Sequence, residues 1–398
     1  MPYICFFIFI LSACHREKKQ DSSTQVMNTF IVDKKDEIDI KKYSQLNIQQ
    51  KCIELFLPEK ILIGNIDEVL INDKYIFILD SKISNKVFQF EINGKFVRTI
   101  GEQGKGPGEY SRADDISIDS ILGSLLIFSA RDRKLLKFSI NTGSLKQEQK
   151  LDFAASEIQP ISDKIYAVFN HDIFNLPTEK VEGNLNYNLL FTNHLFNKVI
   201  SKHFISNTHE GEGKSIYKTG RYFNTNLNAT YLCWRFNDTT YKIENGKILP
   251  FVYLDFGNKK VVYKNYEEST SNYILPKILD GTFYSLVKPT LIANNILLTK
   301  FIMADEKKKT PEDQCCYLLA SVESDSLILI KKFEDDIYNG VFNFPIGTYQ
   351  DSFISILYPE EYIDAKNPGK NELYFSGTNS IIKRYGNPIL CLTKFKNF

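Results

Sequence analysis

The sequence predicts an all-β chain in which six four-stranded antiparallel units close into a ring, the last completed by a strand from the N-terminus. Three observations predict it. Residues 75–110 read as strand, turn, strand, turn, strand and then a glycine-rich passage that offers a helix no apolar face. The same pattern recurs downstream. The final unit lacks a strand, while an apolar strand without a unit of its own lies ahead of the first.

In the first unit, Ile76, Ile78, Val87, Phe88 and Phe90 are β-branched or aromatic residues suited to a pleated, half-buried surface. Asn93-Gly94 between two such runs is a strong short hairpin signal. The second unit copies the first. Residues 66–71 followed by 75–80 align with residues 113–118 followed by 125–129, and residues 87–94 align with residues 135–143. Weaker copies follow, so that strong strands near Tyr75, Leu125, Ile165, Tyr231, Ile296 and Phe353 mark six units. Their starts lie about 40 to 65 residues apart, against about 40 to 50 in regular propeller repeats. The surplus sits in polar insertions at residues 174–183, 207–219, 259–281, 305–313 and 360–372, which are expected as long loops on one face or rim. Residues 52–57 are apolar enough to be the outer strand of the last unit, beside residues 389–395. Joining the chain ends in one unit removes open sheet edges, and the result is a six-bladed β-propeller spanning residues 51–398.

Composition agrees with a packed β protein. Of 398 residues, 43% are hydrophobic, with Phe 30 and Tyr 22, which supports a folded core rich in strand formers. Lys+Arg 49 against Asp+Glu 48 leaves no global field to favour nucleic acid or anionic lipid, so partners must be read from local sites.

The N-terminus differs from the rest. Residues 4–13 form a short apolar run ending in Leu11-Ser12-Ala13-Cys14, which resembles the lipobox of bacterial lipoprotein signal peptides. The resemblance implies a signal over residues 1–14, removal of the residues before Cys14, and diacylglycerol carried on that thiol. Several acyl chains hold a protein at a membrane without a basic patch. His15, rather than Asp, favours the outer membrane by resemblance to enteric sorting rules. Residues 15–50 are expected as a polar tether, with the charge run of residues 33–37 and no sustained apolar period.

A second resemblance covers the body. The run from Gly94 to Gly101, then Gly104-Lys105-Gly106-Pro107-Gly108-Glu109, and the ending Gly386-Asn387-Pro388-Ile389-Leu390-Cys391-Leu392 look like bacterial six-bladed β-propeller lipoproteins related to the NHL and TolB-like propellers. The first two blades match specifically, the middle four in pattern. The resemblance implies a fold and an envelope location, with no shared chemistry.

Candidate sites are few. The glycine-rich run at residues 101–108 invites comparison with a phosphate cradle, but it lacks the Gly-Lys-Ser/Thr ending and no helix follows, so it is expected as a blade-to-blade crossing. Asp67-Glu68 and Asp114-Asp115 stand at the same register in two inner strands, with Glu157 near the equivalent place in the third. Such carboxylates would meet at the channel mouth, where Ca²⁺ or a cationic ligand would suit them, with Arg112 and Arg131 assisting. The plainer alternative is solvation or pairing with Arg112, Arg131 and Arg133. The five histidines show no zinc spacing, and no nucleophile elbow is present. Five cysteines remain beyond residue 14, an odd number. Cys315 and Cys316 are expected to point to opposite faces, and Trp234 to serve the core.

The expected function is therefore a non-catalytic envelope lipoprotein that binds a protein or small molecule through its loop face or channel, held at the membrane by its lipid, with no nucleic-acid partner. One alternative is a cation-dependent propeller hydrolase or lactonase, which needs converging carboxylates. Another is a scaffold subunit of a cell-surface nutrient system.

Overall fold

The structure, a computed structural model, describes residues 27–46, 48–170, 187–205, 220–226, 229–261, 275–303, 314–338 and 340–396. It is a six-bladed β-propeller. Blade 1 pairs Glu68–Ile71, Tyr75–Asp80, Lys86–Glu91 and Phe96–Thr99 in chain order from the axis outward. Blade 2 repeats this with Asp115–Asp119, Ser124–Ser129, Lys134–Ser139 and Leu145–Lys150, and blade 3 with Glu157–Pro160, Ile165–Phe169, Tyr187–Asn193 and Val199–Ile205.

Blade 4 holds a correction. Its inner strand is Phe223–Asn226, paired with Ala229–Leu232, Thr239–Glu244 and Lys247–Asp255 in turn. The sequence reading placed only the last three, because Asn224, Thr225 and Asn226 lack the apolar alternation of a half-buried strand. Blade 5 carries two short inner strands, Ser285–Leu286 and Leu291–Ala293, both against Ile296–Ile302, followed by Cys315–Ser321 and Ser326–Glu334. The core lies in wedges between neighbouring blades. Between blades 1 and 2, for example, Phe77, Leu79 and Val87 pack against Ile116, Ile127, Leu136 and Phe138, all buried.

The ring closes in blade 6. Gly347–Tyr349, Ser352–Leu357 and Ile389–Lys394 are completed by Gln49–Glu54, antiparallel to Ile389–Lys394, with Cys52 opposite Cys391. The expected closing strand is present but lies three residues earlier. Beyond it the chain turns away, since Phe56 bridges to blade 1, its N–H donating to the Gly94 carbonyl at 2.8 Å and its carbonyl accepting from Phe96 at 3.1 Å.

The tether expectation fails over its second half. Asn28–Ile31 adds in parallel to the outer strand of blade 4, and Glu37–Lys42 adds in parallel to that of blade 5. Residues 28–54 therefore walk along the outer edges of blades 4, 5 and 6 and cover each in turn, which removes exposed ladder groups. Phe30, Tyr43 and Leu46 are buried on the way. Residues 1–26, including Cys14, lie outside the described residues.

Connectivity separates the two faces. Turns between first and second strands and between third and fourth are short, as at Asn72–Lys74 and Gly123. The connections between second and third strands, and from one blade to the next, all leave from the opposite face. Every polar insertion named above belongs to this second class. Four fall largely outside the described residues; the fifth, in blade 6, forms a helix at Pro359–Lys366 and a hairpin of Glu372–Phe375 with Ser380–Lys383.

Candidate functional site at the axis

The first residue of the inner strand in each of the first three blades is acidic and buried: Glu68, Asp115 and Glu157. Their registers are equivalent. Glu68 lies opposite Leu79, Asp115 opposite Phe128 and Glu157 opposite Phe169. Because alternate strand residues face opposite ways, these carboxylates point along the ring towards the next blade while their predecessors do not.

Each carboxylate accepts a backbone N–H from the following blade. Ile116 donates to Glu68 at 3.3 Å and Ile158 to Asp115 at 3.0 Å, while Tyr222 and Phe223 donate to Glu157 at 2.9 and 3.1 Å. Blade 4 continues the series with an amide, the Asn224 Oδ1 accepting from Ile292 at 2.9 Å. The seam between blades 6 and 1 has its own link, Ile66 N–H donating to the Tyr358 hydroxyl at 3.2 Å. The inner strands of blades 1 to 5 are thus tied each to the next by side chains where no ladder can run.

Buried carboxylates need a counter-charge, and Arg221 supplies it from the residue pair preceding the blade 4 inner strand. Its guanidinium lies 2.5 Å from Asp115 and 3.3 Å from Glu68, and donates to the Ile116 carbonyl and to Gln159 Oε1 at 3.0 Å. Burial alone would lower the Arg221 pKa, but Asp115, then Glu68 and Glu157, outweigh it and hold the group above its ordinary value. The expected cation at the acidic half-ring is therefore the chain's own guanidinium. Among the described residues no cluster of three or more His, Cys, Asp or Glu is placed to hold a metal ion.

Asp67 and Asp114 have a different task. Each accepts from the backbone just past its blade's second strand, Asp67 from Ser81 at 2.9 Å and Asp114 from Ala130 at 2.8 Å. Each also pairs with a cation at the rim, Lys82 at 2.6 Å from Asp67 and Arg112 at 2.5 Å from Asp114. Arg131 is not at this site: it is exposed in the turn after Ser129 and lines neither axial cavity.

Two cavities lie on either side of the Arg221 cluster, and Glu68, Arg221, Leu291 and Ile346 line both. On the short-turn face is a chamber of about 350 Å³ bounded by Asn72, Asp73, Thr348 and Tyr349. On the insertion face is a chamber of about 730 Å³ into which Asp67, Lys82, Arg112, Asp114 and Lys288 open. Burial, then the charges of Lys300 and Lys82, push the Lys288 pKa down, so an added negative group would be favoured there.

The remaining sequence candidates have structural work. In the glycine-rich run, Gly106 donates to the Glu109 carboxylate at 2.7 Å and Gly108 to Glu148 at 2.8 Å. The N–H groups a phosphate would need are thus turned towards the chain's own carboxylates. Cys316 is buried and Cys315 half-exposed, as alternation requires. Trp234 packs against Phe169, Phe204 and Tyr241.

The sequence reading located Glu68 and Asp115 but missed Arg221, Gln159, Asn224 and Lys288. One signal was available. Gly220-Arg221 stands at the entry to the fourth inner strand, where the first two units carry Asn65-Ile66 and Arg112-Ala113, but the insertion before it hides the register.

A family model described as "Domain of unknown function (DUF4934)" matches residues 29–394. Among solved structures, the chain is similar to a Bacteroides fragilis NCTC 9343 protein described as a candidate exported protein. That match has TM-score 0.72 at 18% identity and covers 94% of this chain and 100% of the other. A member of the DUF4221 family from Bacteroides vulgatus ATCC 8482 aligns with TM-score 0.52 at 11% identity, covering 88% and 97%. These likenesses concern the fold. A comparison with curated proteins returns no significant match.

Proposed function

The chain belongs to the DUF4934 family, and from that premise we propose that it is a non-catalytic binding protein of a bacterial cell envelope, with its ligand site in the chamber on the insertion face. The observation that carries this reading is the division of labour among the carboxylates. Glu68, Asp115 and Glu157, which a cation-dependent hydrolase or lactonase would have to turn towards substrate, are committed to backbone N–H groups and Arg221. Beside Glu68 and Arg221, the chamber is lined by Lys288 and the rim pairs Asp67–Lys82 and Arg112–Asp114. The ligand chemistry that suits this lining is an anionic group.

A lipid anchor on Cys14 belongs to the same reading, supported by the lipobox-like run and by the exported description of the Bacteroides fragilis neighbour. The 14 residue steps from Cys14 to Asn28 would reach about 50 Å at full extension. Cys14→Ala should move the protein from the membrane to the soluble fraction. Unchanged membrane association in that variant contradicts the anchor.

One observation favours the scaffold as a second reading. The blade 6 insertion exposes Tyr374 and Ile381, opposite each other in the hairpin, and Tyr385 just past it, at 54, 63 and 83% of their full areas. Co-purification of a membrane partner, lost on Tyr385→Ser with Ile381→Ser, would support it.

The binding site itself is tested by thermal melting of the purified chain with panels of small carboxylates, phosphates and ammonium compounds. An anionic compound should raise the melting midpoint, and Lys288→Ala should abolish the rise. Stabilisation by Ca²⁺ or ammonium compounds alone, or an anion effect that survives Lys288→Ala, would overturn the site.

A further inference from the structure

The ring's closing contact brings two thiols together. Cys52 lies on the N-terminal closing strand and Cys391 on the last strand of the chain, directly opposite each other in an antiparallel pair. Their sulfurs are 3.1 Å apart. Facing residues in such a ladder have Cα atoms about 4.5 to 5.5 Å apart, inside the roughly 4.4 to 6.8 Å that a disulfide spans. Bond formation thus needs a small closure of the sulfurs and no backbone rearrangement.

We propose that Cys52 and Cys391 form a disulfide that locks the propeller ring shut. The reaction needs a partner disulfide as oxidant, whether a small molecule or a dithiol oxidoreductase. The thiolate of the half-buried Cys52 attacks one sulfur of that disulfide, giving a mixed disulfide and releasing one thiol. Cys391, deprotonated, then attacks the Cys52 sulfur and displaces the second thiol. Two S–H bonds are replaced by one S–S bond in the protein, and the oxidant takes up two electrons and two protons.

The surroundings decide when this can happen. Cys391 is buried with Leu357, Tyr362, Ile363, Phe375 and Ile382, so the blade 6 helix and hairpin roof the pair. A Cβ added at Gly377 would come within 2.9 Å of the Cys52 sulfur, which shows how closely the hairpin tip covers it. The Cys52 thiol beside it and then burial raise the Cys391 pKa, and the part due to burial suppresses the thiolate further once the hairpin is seated. Oxidation therefore belongs to the stage when the closing strand docks, and the finished bond is shielded from reductants. The locked loop contains nearly the whole propeller, and long closures restrict the unfolded chain most in the chain-entropy account. Among the other described cysteines, Cys233 is buried beside Thr290 and Cys315 adjoins Cys316, so the pairing has no competitor of similar geometry.

The pairing rests on geometry alone; its occurrence in cells rests also on the envelope reading, because disulfides persist in oxidising compartments. Two arms keep these apart. In the first, the purified full chain is reduced, unfolded, and refolded with oxidised glutathione, then alkylated and mapped by mass spectrometry. The linked Cys52–Cys391 peptide should dominate, and the oxidised protein should melt several degrees above the reduced one, a difference absent in Cys52→Ser and in Cys391→Ser. Full alkylation of both residues, or no difference in melting, overturns the lock. In the second arm, cells that naturally make the protein are quenched with N-ethylmaleimide before lysis. The linked peptide supports the lock in its native setting; both thiols alkylated there, after linkage in the first arm, overturns its cellular role and counts against the envelope reading while leaving the geometry intact.

Discussion

The two halves of the ring solve the same problem differently. In blades 1 to 3 each inner strand opens with a carboxylate that takes a backbone N–H from its neighbour, so this half places three acidic groups near the axis. In the other half the corresponding link of blade 4 is neutral: Asn224 accepts from Ile292 of blade 5, and its amide also donates across the axis to Thr348 of blade 6 at 2.6 Å. This half also supplies Arg221. A charged acceptor makes a stronger link than an amide, but only if its desolvation is met. The first half is therefore strong on condition that the second inserts its guanidinium, and the channel is divided as a consequence.

Breaking closure should have the largest effect. Deleting residues up to 54 removes the closing strand and the edge covers of blades 4 and 5, with Phe30, Tyr43, Leu46 and Ile53 among the buried side chains lost. At about 1.5 to 3 kcal/mol for each such side chain, the loss is comparable to the whole net stability of a domain. The truncated chain should aggregate or give no cooperative transition by circular dichroism.

Next comes the counter-charge. Arg221→Met leaves Glu68 and Asp115 buried without their guanidinium and should cost about 3 to 5 kcal/mol, read from the shift of the urea midpoint. Below that, the two kinds of link can be compared directly. Glu157→Gln keeps one acceptor oxygen but loses the charge facing Tyr222 and Phe223, and should cost about 1 to 3 kcal/mol; Asn224→Ala should cost about 1 kcal/mol. Equal losses would remove the distinction between the halves.

A separate effect is a pH dependence set in blade 4. Burial, against the pull of Lys260 and with the push of Asp255, raises the Asp238 pKa from 3.8 to about 7. Between those values the folded protein holds the proton more tightly than the unfolded chain, so this residue's contribution to stability falls as pH rises through that window. Asp238→Asn should flatten that part of the pH profile of urea unfolding. An unchanged slope would show that Asp238 titrates as an ordinary carboxylate.

What was legible in the sequence follows from where the signals are local. The hairpins of residues 75–110, their copy in blade 2 and the shared register of Glu68 and Asp115 all rest on short-range alternation and turns. Ring closure was legible because residues 52–57 are apolar and the last unit is short, although the strand itself is Gln49–Glu54. The edge strands Asn28–Ile31 and Glu37–Lys42 look like tether in the sequence because their partners, Val252–Asp255 and Leu329–Glu334, lie more than two hundred residues away and nothing near them signals pairing. Arg221 escaped for a related reason. A lone basic residue after a polar insertion looks solvated, and only the converging carboxylates of blades 1 to 3 give it a buried role.

The central claim is that the acidic half-ring is a structural lock neutralised from within, and not a cation site. A mutant cycle by urea unfolding tests it most directly, comparing the native chain, Arg221→Met, Glu68→Gln with Asp115→Asn, and the triple variant. The account predicts that the triple variant regains at least half of the stability lost by Arg221→Met, since removing the charges removes the need for their partner. Losses that simply add, together with a rise in native stability on adding Ca²⁺, would contradict it.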